Sequence, residues 1–545
     1  MSTDQPLLQW FTIAAVLVAF VTMSGVFASN QTIWVDETTQ LSGLALPFTE
    51  QLLWLIGLSD VELGVPPDRM PPLSYWIGGL WVSLFGLSET AMRWFGIFVT
   101  LAAAPALYLS GRKVGGIIGG IFATALVLLS PNTLVMAGEI RAYPLFLTLS
   151  AWSVWAFLRC LEPGIGNRTP RLAVLSVFLV IASYTHFFGV VLAAALFATL
   201  VVHRILFSDP LRPILLMGVC GAISLIGLAP FVLGALAVSS GEGAAAGTTV
   251  REAATAGLRL FPRLVFHGSH GVYIVVLVGT GLGLLGLAAL SLWRSSCRTD
   301  GRHFSICSRA FLLLPLVIAA ATLPVLEYFI GNFSVLSANY NIWMIPLMAT
   351  FLVGAFANRT ETFWSIRIAH IFAVTALLGH LIAGTILLRH AAIYVHGPGE
   401  WVTELWREMK RPAIIHDGKG RWGHAYFPLH FLSEGTAVQF LQREDGTLWQ
   451  ILPGGLDLAP NQEGFLSAFK SILYVRVGTL NSRDLAQVIR GDVICGAVAH
   501  SATPSASLEH FCAYASASAT VIPTPRSGPI DLLEGRQPAW FRLPE

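Results

Sequence analysis

A ladder of long apolar runs constrains this chain more than any other feature. Runs of about bilayer-spanning length fall near residues 9–29, 93–110, 114–133, 143–159, 172–187, 188–204, 213–236, 271–293, 310–330, 338–357 and 368–388. At 1.5 Å per helical residue, about 20 such residues cross the roughly 30 Å hydrocarbon core. Charged residues make up 12% of the 545 positions, against about 25% in a soluble domain. A chain of this kind folds as a polytopic helical membrane protein.

The charges are unevenly placed. Residues 1–390 hold 20 Lys+Arg and 16 Asp+Glu, whereas the much shorter 391–545 holds 13 and 15. The chain therefore divides into a membrane domain, 1–390, and a water-soluble C-terminal domain, 391–545, of ordinary domain size. In the latter, strand-like runs at 425–431, 471–477 and 492–499 alternate with helix-like stretches at 400–410 and 482–490. That alternation predicts a small α/β or α+β fold. Cys495 and Cys512 both lie there, and a disulfide between them requires an oxidising compartment. A net charge of +2 and the lack of any basic tract argue against nucleic acid as a partner. The first apolar segment has no basic n-region and no small-residue cleavage site, so it reads as a retained helix.

A twelfth apolar run, 71–85, has 15 residues and begins with Pro71-Pro72. At about 22 Å it is too short to cross. If it lies in the outer leaflet, alternate loops collect 13 of the 20 basic residues of the membrane domain on one face, among them Arg112, Lys113, Arg159, Arg171 and Arg204. The positive-inside rule makes that face cytoplasmic. The expectation is 11 spans, the N-terminus inside and the C-terminal domain outside. Motifs scattered over 300 residues then emerge on one external face, where the only cations available to hold an anion are arginines and histidines.

Three phrases stand out there: WVDE at 34–37, DRMPPLSYW at 68–76 and GEIRAYP at 138–144. Asp36 and Glu37 follow an apolar helix directly. A carboxylate at a partly dry boundary can act as general base on a hydroxyl; the plainer reading is a solvated helix end. Arg69 projects from a rigid double-proline start at headgroup level, where its planar fork suits a phosphate; the plainer reading is snorkelling. Glu139, Arg141 and Tyr143 crowd a turn that Gly and Ser would have served, although a surface salt bridge alone would be worth little. His186 in SYTHFFG, the stretch containing Arg259, Arg263, His267 and His270, and Glu327, Tyr328, Asn339 and Tyr340 are weaker candidates, with Tyr340 the preferred contact of the last group. No Walker, Rossmann, zinc or Ser-His-Asp pattern is present.

The order of these phrases, together with GLSETAMR at 86–93 and GRK at 111–113, resembles the GT-C glycosyltransferases. Within them it is most similar to protein-mannosyltransferase and lipid A aminoarabinose-transferase relatives, well over residues 10–160 and loosely over 160–390. The resemblance implies an integral membrane enzyme, with interfacial helices in its first external loop, in a bacterial inner membrane. Its site would be on the periplasmic face, moving a sugar from a polyprenyl-monophosphate donor to a lipid, glycan or protein hydroxyl. Catalysis then falls to Asp36, Glu37 and Glu139. Donor phosphate binding falls to Arg69, Arg93, Arg141, Arg263 and His267, and substrate contact to Trp34, Tyr143, His186 and Tyr340. No metal ligand set is recognised, and a divalent cation between Asp36 and Glu139 stays open. Two departures are Met70, where relatives often carry Lys or His before the double proline, and Asn339, where they often carry arginine. The rival readings are a transferase using a diphosphate-linked oligosaccharide, a flippase, and a silent subunit.

Overall fold

The computed structural model describes residues 5–31, 33–59, 65, 67–162, 169–206, 210–241, 249–265, 303–330 and 333–356, then 378, 380–382, 384–385, 402–403, 406–407, 410–417, 423–443, 447–452, 455–458, 472–478, 493–499, 508–515 and 541–542. The chain forms two compact units, residues 1–25 with 69–386 and residues 26–68 with 387–545. The segment after the first helix therefore groups with the C-terminal segment. The apolar run at 271–293, most of that at 368–388, His267, His270 and the helix expected at 482–490 lie outside the described residues.

Among its described residues the first unit is built of helices. Helix α1 (Gln5–Ala28) leads in, and α2 (Val35–Leu44) and α3 (Phe48–Leu55) belong to the second unit. There follow α4 (Leu73–Phe85), α5 (Glu89–Leu101), α6 (Ala104–Leu128), α7 (Pro131–Gly138), α8 (Tyr143–Cys160), α9 (Thr169–Thr185) and α10 (Phe188–Leu206). Next come α11 (Arg212–Gly241), α12 (Val250–Val265), α13 (His303–Ile330) and, after a short 3-10 turn at Phe333–Leu336, α14 (Met344–Phe356). Among the described residues, five stretches are long and apolar enough to cross a membrane: 9–28, 89–128, 188–206, 212–236 and 311–328. The protein is an integral membrane protein. Helix α4, at 13 residues or about 20 Å, is too short to cross alone.

Helix α6 is two arms joined at Gly116, whose φ of 70° only glycine adopts without strain. The arms touch backbone to backbone: a Cβ on Gly111 would lie 2.3 Å from the Gly119 carbonyl oxygen. This hairpin separates the two runs expected at 93–110 and 114–133. Near it, Lys113, Arg159 and Arg171 all pair with Glu162, the latter two at 3.2 and 3.3 Å. Two of the basic loops that the charge pattern assigns to one face therefore meet at one end of the unit.

Two local expectations change. The helix anticipated over 338–357 begins at Met344, because the Asn341 amide donates to the carbonyls of Val335 (2.7 Å) and Ser337 (2.9 Å) and closes a turn first. The strand expected at 425–431 is a helix, α15 (Gly423–Leu432), whose buried Tyr426 and Leu429 stand three residues apart, a helical rather than a two-residue spacing.

The second unit carries an eight-stranded mixed sheet: β1 (Ala413–Asp417), β2 (Gln439–Gln442), β3 (Leu448–Leu452), β4 (Gly455–Leu458), β5 (Ile472–Gly478), β6 (Val493–Ala499), β7 (Leu508–Ala515) and β8 (Phe541–Arg542). Their order is β4-β3-β2-β1-β5-β7-β6-β8, with β1 parallel to β2 and β5. The strands expected at 471–477 and 492–499 are β5 and β6. In the antiparallel β6–β7 ladder, Cys495 stands opposite Cys512. Helix α2 packs against α15.

Candidate active site

Within the membrane unit, α5 holds the Glu139–Arg141 turn from both sides. Ser88 caps the helix by accepting from the Ala91 N–H at 3.2 Å. The next residue, Glu89, accepts from Arg93, four residues on, through Nε (2.7 Å) and Nη2 (2.6 Å). The buried guanidinium then donates Nη1 to the Gly138 carbonyl at 2.9 Å, at the last residue of α7. One turn further, Gly96 lets α7 approach so closely that a Cβ there would meet the Ala137 oxygen at 2.4 Å and Pro144 at 3.2 Å. The other flank is tied by Thr148, donating to the Val99 carbonyl at 2.7 Å, and by the Trp152 indole, donating to Ala102 at 3.1 Å.

These ties fix a turn with little room for choice. Pro131 starts α7 and Pro144 sits in the first turn of α8, so both helices begin where a missing N–H costs nothing. Glu139, Arg141 and Tyr143 are all buried. Burying a carboxylate and a guanidinium within three residues is expensive unless they are engaged, and such burial marks function more often than packing.

Beside the turn lies a cluster of rings. His186 occupies the break between α9 and α10 and is stacked on Phe146 at 4.9 Å and 11°. Tyr143 lies 5.8 Å from it, Phe188 5.5 Å and Tyr340 5.4 Å, centroid to centroid. Arg141 is close enough for its charge to act on the imidazole. Tyr143, His186 and Tyr340, spread over nearly 200 residues, are thus brought together with Arg141.

Helix α12 reaches the same neighbourhood. Thr249 and Glu252 cap each other reciprocally, the Thr249 N–H and hydroxyl donating to Glu252 at 2.9 and 2.7 Å. The hydroxyl bond, then the main-chain one, holds the Glu252 carboxyl below its usual range. Ala253, Leu260 and Leu264 face inward, and the Leu264 carbonyl accepts from the buried Asn132 of α7 at 2.8 Å. The backbone of Arg263 lies beside that contact.

The acidic pair belongs to the second unit. Asp36 and Glu37 sit in the first turn of α2, where free N–H groups and the helix dipole favour negative charge. Glu37 is fully buried, whereas Trp34 and Asp36 are half-buried, so Asp36 is the more reachable acid. Arg69 is exposed, next to buried Asp68 and Met70. No group of three or more His, Cys, Asp or Glu is placed to hold a metal among the described residues.

The family model for dolichyl-phosphate-mannose-protein mannosyltransferase matches residues 69–233, from Arg69 through the clamp and His186. The structure is similar to that of ArnT from Cupriavidus metallidurans bound to undecaprenyl phosphate, with a TM-score of 0.53 at 12% identity, covering 96% of this chain and 100% of that one. The chain shares the fold of that ArnT structure.

The apo form of that ArnT aligns with a TM-score of 0.48 at 13% identity, over 94% of this chain and 99% of that one. The archaeal oligosaccharyltransferase AglB from Archaeoglobus fulgidus, in complex with an inhibitory peptide and a dolichol-phosphate, aligns with a TM-score of 0.44 at 9% identity, over 93% of this chain and 74% of that one. No curated protein matches the sequence at a significant level.

Arg93, which the sequence suggests as a phosphate ligand, also donates to Glu89 and to Gly138. Glu89, Gly96, Asn132, Phe146 and Phe188 escaped the sequence reading. The four-residue Glu89–Arg93 spacing and an asparagine inside an apolar run were the available signals.

Proposed function

We propose that the protein is a glycosyltransferase that moves a sugar from a polyprenyl-monophosphate donor to an acceptor hydroxyl at the external face of a bacterial inner membrane. The observation that carries this reading is the clamped, buried turn Glu139–Arg141 with the ring cluster of Tyr143, His186 and Tyr340 beside it, in a GT-C fold. A lipid-linked sugar phosphate cannot leave the bilayer, so its head must be met where helices end. Arg141, with Arg69 and Arg263, supplies guanidinium groups for the phosphate. The tyrosines and Trp34 offer faces and hydroxyls to the sugar.

The chemistry is a single displacement. Asp36 takes the proton of the acceptor hydroxyl, the oxygen attacks the anomeric carbon, and the bond from that carbon to the phosphate oxygen breaks. The polyprenyl phosphate leaves with an added negative charge, which the arginines stabilise more strongly than they stabilise the donor. One displacement inverts the anomeric centre and needs one basic carboxylate, whereas retention would call for a second at about 5–5.5 Å. Glu37 and Glu139, both buried, then orient rather than deprotonate.

The 11-span arrangement with the C-terminal domain outside, and the division at 390/391, belong to the same proposal; the convergence of Lys113, Arg159 and Arg171 on Glu162 supports the sidedness. Mass spectrometry of the purified protein tests the lipid assignment. Co-isolated polyprenyl monophosphate or its glycoside is expected, and polyprenyl diphosphate alone would favour the oligosaccharide-transferase class.

A further inference from the structure

His186 is held in one orientation and one tautomer. Its backbone lies in a tight turn: its N–H donates to the Ala182 carbonyl at 3.0 Å, and its own carbonyl accepts from the Gly189 N–H at 2.7 Å. Gly189 permits this, since a Cβ there would come within 2.5 Å of the Ala182 and Ser183 backbone. The ring is stacked on Phe146 and bounded by Tyr143, Phe188 and Tyr340. The Phe188 N–H donates to Nδ1 at 3.2 Å. An accepting Nδ1 carries no proton, so the neutral ring bears its hydrogen on Nε2.

That Nε2–H has no hydrogen-bond partner among the described residues, and His186 is only 2% exposed. A buried donor left unmet costs stability, and phenylalanine at this position would keep the stacking without the cost. The imidazole thus presents a donor that no described group answers. Arg141, whose charge acts on the ring, indicates an electron-rich visitor. Phe188 and Tyr340, the latter in the turn before α14, are half-buried, whereas Tyr143 and Phe146 are buried, so the cluster opens on the side of Phe188 and Tyr340.

We infer that His186 is a binding residue whose neutral Nε2–H donates to an oxygen of the sugar-phosphate head, beside Arg141. This rests on the function proposed above and deepens it. The shared chemistry is an oxygen acceptor, which is either a phosphate oxygen of the carrier or a hydroxyl of the sugar. A neutral donor discriminates by geometry rather than by charge, so it fixes the angle of the head while the arginine supplies attraction.

The test uses the full chain in lipid nanodiscs, with two probes: undecaprenyl phosphate, and undecaprenyl-phosphate hexoses. His186→Phe keeps the ring and removes the donor; His186→Gln restores a side-chain N–H donor. His186→Phe should unfold at the same temperature as the wild type or higher, yet bind about tenfold more weakly, the size expected for one buried hydrogen bond. His186→Gln should recover most of the loss. Weakening of both probes places the acceptor on the phosphate, and weakening of the hexoses alone places it on the sugar. Unchanged affinity for both lipids would overturn the assignment, leaving Nε2 to an internal water only. So would ¹⁵N solid-state NMR showing the His186 proton on Nδ1, with or without lipid. A wild type that binds neither probe contradicts the proposed function itself, and is distinguishable by that control.

Discussion

Arg93 donates to the main-chain carbonyl of Gly138 at 2.9 Å while Glu89 holds the same guanidinium on its other edge. The bond ties α5 to the residue that precedes Glu139, and under the proposed function Arg93 would act on the site through this turn. Arg93→Ala should lower kcat/KM for sugar transfer by about 10- to 100-fold, the range for a lost charged hydrogen bond. The loss should fall mainly on kcat, with Arg93→Lys only partly restoring it because lysine lacks the fork. Steady-state kinetics with varied lipid-linked donor would show this; a loss confined to KM would return Arg93 to direct phosphate binding.

Gly96 is the second point of that tie. A methyl group would meet the Ala137 oxygen at 2.4 Å, closer than real contacts allow, so α7 must move away. Gly96→Ala should destabilise the protein by about 1–3 kcal/mol, typical of overpacking, and reduce transfer with it. Thermal unfolding in detergent together with an activity assay checks both.

His416 gives the soluble part a pH signature. Burial pushes its imidazole down to about 4 from 6.5, against the opposing bond to Gln439 at 2.7 Å. The folded state therefore resists the proton that the unfolded chain accepts below 6.5. Stability is fully present above pH 6.5, falls as pH drops towards 4, and levels off below; at about 1.4 kcal/mol per pH unit the loss is roughly 3 kcal/mol. Hydrogen exchange of the β1 and β2 amides should accelerate over that window, and His416→Gln should flatten the dependence.

Cys495 and Cys512 are register partners in neighbouring antiparallel strands. Directly opposed residues have Cα atoms about 4.5–5.5 Å apart, within the range a disulfide spans. If the domain is external, non-reducing peptide mapping should recover a peptide linking the two cysteines. Two free thiols in protein isolated without reductant would argue for a cytoplasmic location and invert the topology.

The membrane part was legible because its physics is coarse. Apolar length, arginine placement and the clustering of charged phrases survive without knowledge of packing, and they singled out Arg141, Tyr143, His186 and Tyr340, which the fold brings together. What stayed hidden depends on contacts between backbones. Nothing in the letters of Gly96 or Gly111 says which carbonyl will lie against them, and nothing in ETAMR says that its arginine will donate to Gly138. AYFPLHF could pass for a strand because a short apolar run carries no decisive period. The grouping of the first loop with the C-terminal segment, through α2 and α15, joins residues nearly 400 apart.

The central claim is that Asp36 and Arg141 serve one transfer reaction, the first as base and the second as phosphate ligand. The direct measurement is sugar transfer by purified, reconstituted protein from radiolabelled polyprenyl-monophosphate hexoses or pentoses to membrane acceptors, with each residue varied. Asp36→Asn should lower kcat at least 1,000-fold, towards the upper end of the roughly 10²–10⁴ that a general base contributes, and should leave donor binding intact. Arg141→Ala should raise KM for the lipid donor by about tenfold or more. Full activity in Asp36→Asn, or an unchanged KM in Arg141→Ala, would contradict the account.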